Sequence, residues 1–191
     1  MARFRLYLAF TLVSVLASSL LGCTHGSAAQ PSTTTSTAVV LTIHDGSIVK
    51  IYSLDQIKSL PSTTGTAGTI SGAGVISTAV QCKGVALTGL LGSFTGASAG
   101  SSIKITGSDG YFVTLTYNQI AQGSFSTYGS DGALVTPPVQ TTAILEYEEN
   151  GSALTSDLGP LRLVIISPPG QVTRSNLWVK SVDRIDIVQG Q

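Results

Sequence analysis

The chain has 191 residues, of which 42% are hydrophobic and only 10% charged, against the ~25% charged residues usual in globular proteins. Ten Lys and Arg balance ten Asp and Glu, and no basic stripe or polybasic run stands out, which argues against nucleic acid or anionic headgroups as partners. The apolar share is large enough for one buried core and speaks against global disorder.

The first element is a leader. Arg3 and Arg5 precede an uncharged, mostly apolar run from Leu6 to Leu21, the pattern of an export signal. That run is shorter than the ~20 apolar residues a spanning helix needs. It closes on Leu20-Leu21-Gly22-Cys23, which resembles the lipobox of bacterial lipoproteins, where the cysteine is diacylated and becomes the new N-terminus. The resemblance implies a signal peptide over 1–22, a lipidated, palmitate-bearing Cys23, and an exported protein anchored by lipid in the cell membrane or outer membrane, facing the periplasm or exterior. An ordinary secretory signal with an incidental Cys23 is the alternative. Without Arg3 and Arg5, eight Lys and Arg face ten Asp and Glu, a net charge near −2. Residues 23–37 are Ser/Thr-rich, uncharged and poor in large apolar side chains, so they read as a tether.

The folded domain is expected over 38–191. Ala38–His44 and Ser47–Tyr52 flank Asp45-Gly46, a strong hairpin signal. Ser53-Leu54-Asp55-Gln56 has the form of a capping box and predicts a short helix over Leu54–Leu60, stopped by Pro61. Ser62–Gly74 is Thr/Gly-rich and reads as a loop, and Val75–Val85 as a strand. Leu87, Leu90, Leu91 and Phe94 follow helical spacing. Ser102–Thr106 and Tyr111–Leu115 read as strands joined at Ser108-Asp109-Gly110. Thr116-Tyr117-Asn118-Gln119 opens a third helix that Gly123 ends, and Gly123–Pro138 reads as a long loop. Ala143–Tyr147, Leu161–Ile166 and Trp178–Val188 are the last predicted strands, the first turning at Glu148-Glu149-Asn150-Gly151. The sum is a strand-rich α+β domain with three short helices and no βαβ rhythm. Neither a Rossmann glycine pattern nor a P-loop occurs, and G-x-S-x-G and H-E-x-x-H are absent too.

Five stretches carry a resemblance: YSLDQIKSLP (52–61), KGVALTGLL (83–91), SDGYFVTLTYNQI (108–120), NGSALTSDLGPLRLVII (150–166) and WVKSVDRIDI (178–187). In this order they resemble the molybdopterin-binding domain of the sulfite oxidase family. The resemblance implies a mixed-sheet α+β fold of sulfite-oxidase-like type, with a pterin cofactor at strand ends and loops. That family draws anion contacts from a His and an Arg in an H-G-x-P-x-R run and from a Lys in a V-K-W run. Gly159-Pro160-Leu161-Arg162 keeps the Arg and Val179-Lys180 keeps the Lys, whereas Asp157 stands at the His and Ser181 at the Trp. Arg162, Lys180 and Lys83 are therefore the candidate cofactor-binding residues. The plainer readings are a carboxylate-paired Arg162 and a solvated Lys180 at a strand edge.

The family's molybdenum ligand is a Cys thiolate. Gln81-Cys82-Lys83-Gly84 echoes its Q-C-x-G surroundings, but Gly84-Val85-x-Leu87-x-x-Leu90-Leu91 matches a helix that lies a dozen or more residues later. The helix register fits more residues and places the ligand within 62–74, where there is no cysteine. Cys82 then reads as a small buried strand residue, and Lys83, its strand neighbour, points to the opposite face. Glu146, Glu148 and Glu149 are the only carboxylate cluster; Glu146 and Glu148 are expected to share a face at a solvated strand end.

These readings lead to two expectations. The first is a lipid-anchored, non-catalytic domain that binds a small molecule or an envelope protein and carries neither metal nor catalytic residues. The alternative is a molybdopterin-dependent oxidoreductase with altered metal ligation. Whether the protein is an enzyme stays open between them.

Overall fold

A computed structural model describes residues 38–190. The expected signal peptide, the lipidated Cys23 and the tether lie outside these residues. In chain order the strands are β1 (Val39–Asp45), β2 (Ile48–Ser53), β3 (Ser62–Ala67), β4 (Thr69–Ile70), β5 (Val80–Ala86), β6 (Ser102–Gly107), β7 (Phe112–Thr116), β8 (Thr127–Tyr128), β9 (Thr142–Glu149), β10 (Ser152–Ala153), β11 (Arg162–Ile166), β12 (Val172–Arg174) and β13 (Val182–Val188). The helices are α1 (Leu54–Ser59), α2 (Leu87–Leu91) and α3 (Tyr117–Gln122). None of the described helices is long and apolar enough to cross a membrane.

Local chemistry sets the helix ends. The Ser53 backbone N–H donates to Gln56 Oε1 at 2.7 Å, and Gln56 N–H donates to Ser53 Oγ at 3.2 Å, so the capping box of α1 is complete and two orphan donors are satisfied. At α3, Thr116 Oγ1 accepts from Gln119 N–H at 3.0 Å, and Gly123 closes the helix at φ +59°, a left-handed cap that glycine takes without steric cost.

Sheet A has the order β2-β1-β13-β6-β7, with β1 and β13 parallel and the other pairs antiparallel. Sheet B runs β3-β5-β9, with β11 and β10 both pairing along β9. A small sheet C has the order β4-β12-β8. The main core joins Leu41, Ile43, Ile103, Ile105, Ile185 and Ile187 of sheet A to Val85, Leu145, Leu163 and Ile165 of sheet B, with Ile57, Leu87, Leu91 and Ile120 from the helices. Full burial of one such aliphatic side chain is worth about 1.5–3 kcal/mol. On the other face of sheet B a second, smaller cluster gathers Ala67, Cys82, Ile144 and Val164, with Trp178 packed against it.

Four expectations need correction. Ser62–Gly74 is not a loop: Ser62–Ala67 forms β3, antiparallel to β5 from Ser62↔Val85 to Ala67↔Val80. Its Thr and Gly residues make a strand because β5 supplies a partner ladder, and a Cβ at Gly65 would clash with Ile166 Cγ2. Strand β5 begins only at Val80. Strand β13 begins at Val182, while Val179 makes an isolated bridge to Leu163. Strand β12 and the short β8 occupy segments without a strand signal; they pair with each other, and β12 pairs also with β4.

Candidate functional site

The site grows from an irregularity between β5 and β9. Lys83 pairs with Glu148 and Gly84 pairs with Glu146, so Tyr147 is an extra residue with no partner in β5. Such a bulge reverses the in–out alternation of the strand beyond it. Glu146 and Glu149 thus fall on one face, that of Cys82, and Glu148 on the other, beside Lys83. The expected pairing of Glu146 with Glu148 on a solvated face is overturned: Glu146 is 0% exposed. Gly84 makes the close approach possible, since a Cβ there would strike the Leu145 carbonyl and lie 2.6 Å from Glu146 Cα.

Arg162, on β11 opposite Glu146, is 7% exposed and is held by both carboxylates. Its Nε donates to Glu146 Oε2 at 2.7 Å, and its Nη2 lies 2.6 Å from the same oxygen. Nη2 also donates to Glu149 Oε2 in a very short contact. The guanidinium sits 5.2 Å from the centre of the Trp178 ring, whose Nε1 donates to Thr173 Oγ1 at 3.1 Å. Glu146 Oε1 is buried and has no hydrogen-bond partner among the described residues. Burial, more than Arg162 can offset, pushes the Glu146 carboxyl above its ordinary range.

Cys82 is fully buried, its Sγ 3.8 Å from the Val80 carbonyl oxygen. Burial first, and then the neighbouring Glu146, pushes its thiol far above the usual range. The side chain is held as a neutral thiol, the opposite of the electropositive surroundings that produce a reactive thiolate.

Above Arg162 opens a pocket of about 400 Å³, within the ~300–1,000 Å³ typical of small-molecule sites. Trp178, Ala67, Val80 and Leu158 give it apolar walls; Thr69, Ser77, Thr78 and Ser175 add hydroxyls; Glu149, Arg162 and Lys180 bring charge. Lys180 is exposed, and its ammonium makes no ion pair among the described residues. The next residue, Ser181, has φ +46°, a left-handed conformation that costs a non-glycine residue about 1–2 kcal/mol. Its N–H donates to the Leu158 carbonyl at 2.8 Å, and its own carbonyl accepts from Ser108 N–H at 2.9 Å. Those two bonds fix the backbone that carries Lys180.

Of the three residues singled out in the sequence, the structure brings Arg162 and Lys180 to this pocket and leaves Lys83 outside it. Lys83 instead lies 3.4 Å from Glu148 on the opposite face of sheet B, with 41% of its side chain exposed. Asp157 is exposed, and its carboxyl is held below the ordinary range, chiefly by Thr155 Oγ1, which donates to it at 2.6 Å. Lys180 and Arg162 contribute smaller pulls in the same direction. The plainer reading of a carboxylate-paired Arg162 holds, with Glu146 and Glu149 of the named carboxylate cluster as its partners; sequence reasoning missed those partners, the buried state of Glu146 and the place of Trp178 in the pocket.

No known protein-family profile matches the chain, and no curated protein matches it. Among solved structures it is similar to the sulfane dehydrogenase SoxCD from Paracoccus pantotrophus, with a TM-score of 0.56 and 19% identity. The match covers 78% of this chain and 37% of that one, so the chain spans well under half the length of that relative. The likeness shows the fold: a strand-rich, mixed-sheet α+β domain of sulfite-oxidase-like type with three short helices.

Proposed function

We propose that the protein is a membrane-anchored lipoprotein whose domain binds a ligand or partner at the Trp178 pocket, without molybdenum chemistry. The observation that carries this reading is the clamp of Glu146 and Glu149 on Arg162. A pterin phosphate needs a cation with free donors. Here the arginine of the G-P-L-R run already directs Nε and Nη2 at two carboxylates, and Asp157 adds an anion nearby. The molybdenum ligand of the resembled family is a Cys thiolate, and the cysteine on β5 is sealed and neutral. These residues do not fit the molybdenum cofactor, so no catalytic step is derived through it. Lipid attachment at Cys23 rests on the Leu-Leu-Gly-Cys motif.

The full chain, produced in a host that makes the molybdenum cofactor and purified in detergent, tests the reading. It is expected to release no pterin on acid denaturation and to show no visible absorption band. One pterin released per chain overturns the proposal in favour of an oxidoreductase with altered ligation. For the anchor, labelled palmitate is expected in the full chain and not in Cys23→Ala; equal label, or none in either, rejects lipidation at that residue.

A further inference from the structure

The charges left over in the Trp178 pocket define a ligand class. Arg162 is held through two of its three nitrogens, Nε and Nη2, which are bound to Glu146 and Glu149. Glu149 is the carboxylate of the clamp that reaches the pocket, with 27% of its side chain exposed. Lys180, in the lining of the same pocket, presents an ammonium that no carboxylate of the described residues neutralises within ion-pair distance. The same pocket is lined by the indole of Trp178 and the aliphatic walls of Ala67, Val80 and Leu158. The indole is held in place from two directions, by the Arg162 guanidinium and by Thr173 Oγ1, so it is a preformed surface rather than a ring that must be ordered on binding.

We propose that this pocket binds a small zwitterion with an apolar or aromatic body, such as a free amino acid. Its carboxylate lies on Lys180, its ammonium on Glu149, and its side chain against Trp178. A lone anion on Lys180 would face the Glu149 carboxylate in the same lining without a counter-charge of its own. A lone cation on Glu149 would share the lining with the like-charged Lys180 ammonium. Only a ligand with both signs meets both residues without breaking the Arg162 clamp. The hydroxyls of Thr69, Ser77, Thr78 and Ser175 around the walls can accept or donate to its polar ends. The strained Ser181, pinned to Leu158 and Ser108, serves here by fixing the direction from which Lys180 enters.

The inference deepens the reading of the pocket as a ligand site free of pterin, and its test is separate from the pterin assay. Trp178 is the one tryptophan in the chain, so tryptophan emission of the full chain in detergent reports on this pocket alone. The probes are L-phenylalanine, 3-phenylpropionate, which lacks the ammonium, and phenethylamine, which lacks the carboxylate. Heats of binding are measured alongside, so that a spectrally silent event still registers. L-Phenylalanine is expected to bind saturably and about tenfold or more tighter than either one-charge analogue, the gain expected of one charge-assisted contact. Lys180→Met is expected to lower its affinity to that of phenethylamine, and Glu149→Gln to that of 3-phenylpropionate. No saturable binding of L-phenylalanine, or equal binding of a one-charge analogue, overturns the zwitterion proposal whatever the pterin assay shows. Pterin release together with L-phenylalanine binding would overturn the cofactor-free reading alone.

Discussion

Glu146 and Glu149 stand three positions apart on one strand, yet both carboxylates close on the same guanidinium, that of Arg162. Regular alternation would send them to opposite faces of the sheet; the extra residue Tyr147, unpaired opposite the Lys83–Gly84 step, brings them together. This arrangement turns an arginine that could hold a phosphate into a structural cation at the floor of a pocket.

Removing the cation should therefore cost more than removing the outer carboxylate. Arg162→Met leaves Glu146 buried and unpaired, and urea unfolding is expected to show a loss of about 3–5 kcal/mol. Glu149→Gln leaves the Glu146–Arg162 pair intact at a half-exposed position, and a loss of about 1 kcal/mol or less is expected. Equal losses would mean that Glu146 does not depend on Arg162.

The raised carboxyl of Glu146 gives stability a pH dependence of unusual sign. Because the folded state holds this proton more tightly than the unfolded chain, its contribution is full below the ordinary glutamate value of 4.5 and is lost as pH rises through the raised folded value. Stability measured from pH 4.5 upward should fall more steeply in the natural protein than in Glu146→Gln. Parallel profiles in the two proteins would contradict the assignment.

The thiol of Cys82 should be silent in the native fold. With 0% exposure and a thiol pushed up by burial and by Glu146, it is expected to resist maleimide at pH 8 and to react in full once urea unfolds the domain. The Cys23→Ala chain makes this a single-site measurement, since the sequence has two cysteines. Rapid labelling of the native protein would mean that Cys82 is accessible.

Two glycines separate packing from propensity. At Gly84 a Cβ would strike the Leu145 backbone carbonyl, so Gly84→Ala should push β5 from β9 and cost about 3 kcal/mol, at the upper end of overpacking. At Gly89, exposed in α2, a Cβ meets nothing within 4 Å, and Gly89→Ala should raise stability by about 1 kcal/mol. Thermal unfolding of both variants checks the pair.

What could be read from the sequence is what local chemistry controls. The Ser53–Gln56 box, the Gly123 cap and the Leu87, Leu90, Leu91 and Phe94 spacing act over three or four residues, and each is present as expected. The turn at Asn150-Gly151 is also local, with φ of +50° and +78° at the two residues. Strand β3 escaped notice because Ser62-Thr63-Thr64-Gly65-Thr66 becomes a strand only against β5, some twenty residues on. The fate of Glu146 was hidden for a related reason: the bulge at Tyr147 depends on the β5 partner, and a single strand cannot reveal it. Arg162 and Lys180 were visible as motif residues, but the carboxylates that occupy Arg162 come from a separate strand, and Lys180 reaches the pocket through the left-handed Ser181.

The molybdenum-to-protein ratio of the full chain, measured by plasma mass spectrometry after production in a cofactor-competent host, tests the central claim most directly. With Arg162 clamped by Glu146 and Glu149 and Cys82 sealed as a neutral thiol, the account predicts a ratio near zero in protein whose unfolding is cooperative. A ratio near one in such protein would contradict it.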